Sequence, residues 1–187
     1  MANEAWGPLA GLIGSWSSGL DGLDVSFHND SGKIAETPFS EQTTFSAFGP
    51  VENGAHTLYG LDYRTSAWRK DDVHPFHTEV GYWMWDATNK QVMRCFTSPI
   101  AVTLIAGGSV EPDARTFQLK AVLGSNTYGI LSSAYLDEVA RTTRFEVTVT
   151  LDDDSFSYDE TIVVEHQKSK TIILHTDRNT LRREMGS

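Results

Sequence analysis

The chain has 187 residues, of which 40% are hydrophobic, 11% aromatic and 21% charged, a balance that suits one globular domain and excludes a disordered polymer. Fifteen Lys and Arg against 25 Asp and Glu give a formal net charge of −10, a surface that repels a phosphate backbone, so no nucleic-acid partner is expected. A single cysteine, Cys95, excludes an internal disulfide and a multi-cysteine metal site.

The N-terminal stretch "MANEAWGPLAGLIGSW" lacks a basic n-region and a sustained apolar run, and reads as neither signal peptide nor anchor. No apolar run approaches the ~18 residues that span a bilayer, so no membrane partner is expected and the cytoplasm is the expected compartment. Asn3 is placed to cap a short helix over 4–13, with Trp6, Leu9, Leu12 and Ile13 at amphipathic spacing.

From there the chain alternates strand and turn. Residues 40–49, 56–69, 77–86, 90–98, 101–108, 115–123 and 127–133 are rich in β-branched and aromatic side chains, as are 140–151, 155–166 and 170–177. Gly49-Pro50, Asn53-Gly54, Thr88-Asn89-Lys90 and Asp152-Asp153-Asp154 read as turns between them. "FEVTVTL" alternates cleanly, with Phe145, Val147, Val149 and Leu151 on one face. With no helices between the strands, a βαβ architecture is excluded. The fold class expected is all-β: one up-and-down antiparallel β-barrel of about ten strands over 14–184, within a single domain 1–187.

Cys95, in the apolar-alternating "VMRCF", reads as a small core residue, and the terminal cluster Arg178, Arg182 and Arg183 as a solvated end. Six histidines (His28, His56, His74, His77, His166, His175) are the main chemical resource. No HExxH, 2-His-1-carboxylate spacing, GxSxG or phosphate loop accompanies them, so hydrolytic zinc, non-haem iron and serine chemistry have no motif. The carboxylate runs Asp71-Asp72 and 152–154 fall in turns and read as solvated surface. On a continuous strand His77 shares a face with Glu79, Gly81, Trp83 and Trp85, a set suited to a flat aromatic ligand because Gly81 leaves room. Residues alone leave two readings of His77 and of His175: a satisfied strand histidine, or a pocket wall.

Three stretches carry a resemblance: "LAGLIGSWSSGLDG" (9–22), "HPFHTEVGYWMW" (74–85) and "SFSYD…ILHTDRNTLRR" (155–183). Together they resemble the nitrobindin-type haem-binding β-barrels, whose fold is like that of fatty-acid-binding proteins. The resemblance implies a ferric haem b with iron, His175 as its metal ligand and His77 on the opposite side of the pocket. Trp83, Trp85 and Gly81 then line the cofactor site, and His77 is the residue for catalysis. It also implies nitric oxide binding and, in some members, isomerisation of peroxynitrite to nitrate. Spacing in the third stretch is longer than in compact members, which leaves His166 as a rival ligand. Two other functions stand beside this one: a carrier of an apolar small molecule, and a haem-free enzyme using His77 and Glu79 as acid and base. An exposed strand edge or the N-terminal helix is where a homodimer would form.

Overall fold

A computed structural model describes residues 4–28 and 31–184. The N-terminal element, Glu4–Leu12, is a 3-10 helix rather than an α-helix, because Gly7 takes a left-handed φ of 52° and Pro8 follows it. The expected cap, Asn3, lies outside the described residues. The helix still buries the predicted stripe: Leu9 and Leu12 are 0% and 1% exposed. Three hydrogen bonds anchor it and the residue after it, with Trp6 Nε1 donating to Gly60 O at 2.9 Å and Arg183 donating to Ile13 O and Gly11 O at 2.6 and 2.9 Å. Arg183 also sits over Trp16, 4.1 Å from the ring centroid. Arg183 is thus a tether between the chain's two ends, not part of a solvated cluster.

The strands are β1 Gly14–Ser17, β2 Gly22–His28, β3 Lys33–Asn53, β4 His56–Arg69, β5 His77–Asp86, β6 Gln91–Ser98, β7 Val102–Ser109, β8 Thr116–Val122, β9 Ile130–Ser132, β10 Ala140–Leu151, β11 Ser155–His166 and β12 Thr171–Arg183. All pairings are antiparallel, and the sheet closes because β1 and β2 each pair with both β3 and β12. β8 and β9 share the outer edge of β7, meeting it at Gly107 and at 102–104 respectively. Counting shared positions once, the twelve segments form a ten-position up-and-down barrel, the architecture the alternation predicts.

Two local readings change. Gly49-Pro50 is not a turn but a bulge inside the long β3, where the register with β4 shifts between Phe48 and Val51. A bulge accommodates proline's missing N–H, and the hairpin turn falls after Asn53 instead. Cys95 is not in the core: along β6, Val92, Arg94 and Phe96 are buried, and Cys95 lies half-buried on the outer face. A short helix, α1 Ala134–Val139, follows β9, capped by Ser133 Oγ accepting from the Leu136 N–H. Six residues are too few to show helical periodicity. Among the described residues no helix is long and apolar enough to cross a membrane.

The core fills the barrel end that the 3-10 helix covers, where Leu9, Leu12, Trp16, Trp85, Val92 and Leu181 are each at most 2% exposed. The same strands run past this plug, and beyond it the interior changes character.

Candidate functional site

Strand parity decides which side chains enter the barrel. Registers across β3, β4 and β5 stack the interior in layers: Phe45, Tyr63 and Gly81, then Thr43, Thr65 and Glu79, then Glu41, Ala67 and His77. A cavity of about 220 Å³ occupies this half of the barrel. His77 and His175 both line it, on strands separated by β4, β3 and the shared β1/β2 position.

The deeper wall is polar. Arg94 donates through Nη2 to Glu79 Oε2 at 2.5 Å, through Nη1 to Glu160 Oε2 at 2.9 Å, and through Nε to the Tyr63 hydroxyl at 3.3 Å. Its guanidinium carbon is 4.6 Å from the Phe96 ring centroid and 5.4 Å from that of Trp83. Burial pushes the Glu79 carboxyl up, but the Arg94 charge and His77 outweigh it and hold the group down to about 2. Burial wins at Glu160, which Arg94 steadies less and Glu79 repels, leaving it at about 7. A third carboxylate, Glu41, accepts from Thr65 and Thr43 through Oε1, and from Tyr158 and Asn179 through Oε2 at 2.7 and 2.9 Å.

His77 Nε2 lies 3.2 Å from Glu79 Oε1. Burial favours its neutral form, yet the hydrogen bond and charge of Glu79 prevail and raise its pKa. His175 Nε2 lies 3.2 Å from Asp24 Oδ1 and 3.0 Å from Asp177 Oδ2. Neither oxygen is in line with a ring N–H: Nε2 and Asp24 Oδ1 are both buried atoms without a hydrogen-bond partner. Burial disfavours the imidazolium, but the flanking Asp177 and Asp24 carboxylates outweigh it and lift the pKa to about 10.

Trp83 lines the cavity, and its indole N–H has no partner. Trp85 and Gly81 face inward but are not among the lining residues. Trp85 packs beneath Gly7, in the plugged end. At Gly81 a Cβ would run into the Cys95 carbonyl oxygen, so this glycine serves the close approach of β5 and β6 rather than making room for a ligand. His166, at the end of β11, packs edge-on against Phe27 and does not line the cavity. His56 pairs with Asp86 across 2.6 Å, also away from the cavity, and His74 is exposed.

Sequence reasoning missed Asp24, Glu41, Arg94, Glu160 and Asp177. One signal was present: Arg94 shares strand parity with Val92 and Phe96, an arginine on an otherwise apolar face.

Residues 5–183 match the family model described as the THAP4-like, heme-binding beta-barrel domain. The chain belongs to this haem-binding β-barrel family. Among solved structures, Rv2717c from M. tuberculosis has the same fold, with a TM-score of 0.67 over 97% of this chain and 98% of that one, at 19% identity. The S-type phycobiliprotein lyase CPES from Guillardia theta aligns over 95% of this chain and 90% of that one, at 12% identity. Its TM-score of 0.43 is too low to bear on function. No curated protein matches the sequence. The THAP4-like assignment therefore rests on the whole barrel, from the 3-10 helix to the end of β12.

Proposed function

We propose that this chain is a haem b protein in which His175 ligates the iron and His77 faces the bound small molecule. The observation that carries this reading is the state of His175 Nε2, a buried nitrogen on the cavity wall with no aligned hydrogen-bond partner. Phe39, Phe76, Ile162 and Val164 supply apolar and aromatic wall in the same cavity, which suits a porphyrin face. Asp24 and Asp177 flank this same nitrogen at 3.2 and 3.0 Å, so iron bound there would take the place of the proton they attract.

When bound, a ferric haem supplies a Lewis-acidic iron for nitric oxide and, in the enzyme version, for peroxynitrite. The protein's own contribution is electrostatic. Glu79 favours the charged form of His77, an imidazolium with two N–H donors. One is directed at Glu79 and the other remains for an anionic ligand. Arg94 and Tyr63 hold Glu79 in turn, which fixes His77 from behind. The same arrangement weighs against haem-free acid–base catalysis by this pair, because a carboxyl held at about 2 is a weak base.

Hemin titrated into purified protein should give a Soret band that saturates at one equivalent. Absence of saturable binding would return the chain to the reading of an apolar-molecule carrier.

A further inference from the structure

We infer that, without haem, Asp24, His175 and Asp177 form a binding site for a divalent transition-metal ion. The three residues come from two paired strands, with Asp24 opposite Asp177 in the β2–β12 register and His175 two residues earlier on β12. One ligand atom from each lies within 4.8 Å of the other two. Around a tetrahedral ion with bonds of about 2.0–2.1 Å, neighbouring ligand atoms are roughly 3.3 Å apart. The observed Nε2–Oδ distances, 3.0 and 3.2 Å, are close to that edge length.

Direction supports the same conclusion. An imidazole that only donates a hydrogen bond has its acceptor at the end of the N–H. Here two carboxylate oxygens flank the nitrogen and neither is aligned, the arrangement expected when an ion occupies the point between them. Asp24 is the other end of that unaligned contact: its side chain is 4% exposed, and Oδ1 faces His175 Nε2 at 3.2 Å without an aligned hydrogen bond. Burying an unsatisfied carboxylate oxygen is costly unless something charged meets it. An imidazolium is the competing occupant, and the metal takes the place of its proton. One imidazole with two carboxylates suits zinc, cobalt or manganese better than calcium, which prefers oxygen-only cages.

The site does not depend on haem, and the two occupants would compete for His175. Haem-free protein titrated with Co²⁺ should develop visible ligand-field absorption saturating at one equivalent. Asp24→Asn and Asp177→Asn should each weaken binding by about tenfold or more, and His175→Ala should abolish it. His166→Ala should leave it unchanged. In unmodified protein, Zn²⁺ should displace the Co²⁺ signal and raise the melting temperature. No saturable cobalt signal, or one indifferent to Asp24→Asn and Asp177→Asn, would overturn the site. Hemin titration of the same sample separates the two claims: a Soret band without cobalt saturation overturns the metal site alone.

Discussion

Arg94 Nη1 lies 2.9 Å from Glu160 Oε2, and because Nη2 of the same guanidinium is taken by Glu79, one buried cation serves two buried carboxylates. Removing one partner of such a network leaves uncompensated charge in a low-dielectric interior. Arg94→Met should therefore destabilise the haem-free protein by about 3–5 kcal/mol in urea unfolding. Adding Glu79→Gln and Glu160→Gln to it should restore much of the loss, since the two carboxylates that Arg94 serves are then neutral. A triple variant no more stable than Arg94→Met would show that packing around the guanidinium, not its charge, sets the cost.

The same groups fix how stability depends on pH. Glu160 ordinarily titrates at 4.5 and is raised to about 7, so over that interval the native chain holds a proton the unfolded chain has lost, and stability falls as pH rises. His77 and His175 are also raised, the latter to about 10, so their contributions are present below 6.5 and are lost as pH climbs. Glu79, held to about 2, contributes fully above 4.5 and loses that contribution as pH falls from 4.5 to about 2. The melting temperature of the haem-free protein should peak near about pH 5 and decline toward about pH 9. Glu160→Gln should flatten the first part of that decline. A melting temperature that rises steadily across this range would contradict the assignment.

Gly81→Ala tests the packing of β5 on β6. The added methyl meets the backbone of Cys95 and Phe96, which cannot swing aside as a side chain would. The substitution should lower stability by roughly 1–3 kcal/mol, whereas Gly54→Ala, at a turn with open space, should act only through its φ of 65°. Thermal melts of the two variants make the comparison. Equal, small effects would show that the strands separate easily at Gly81.

What could be read from the sequence follows from the kind of regularity each feature has. β10 was legible because Phe145, Val147, Val149 and Leu151 alternate with polar residues, so one face is visibly apolar. Residues 33–39 of β3 were not, because Lys33, Glu36 and Pro38 break any apolar alternation ahead of the 40–49 run. His77 and His175 were legible as a candidate pair, since each sits in a strand and the resemblance names both. Asp24 and Asp177 were not, as only the closure of β2 on β12 brings them beside His175. Gly81 was noticed for the wrong reason: its smallness looked like space for a ligand, and it is space for a neighbouring strand.

The central claim is that His175 holds the haem iron, and a hemin titration across two variants tests it most directly. Soret absorbance should saturate at one equivalent in the unmodified chain and in His166→Ala. In His175→Ala the band should be lost or become weak and unsaturable, while far-ultraviolet circular dichroism stays that of a folded barrel. Tight binding that survives His175→Ala but is lost in His166→Ala would contradict the account.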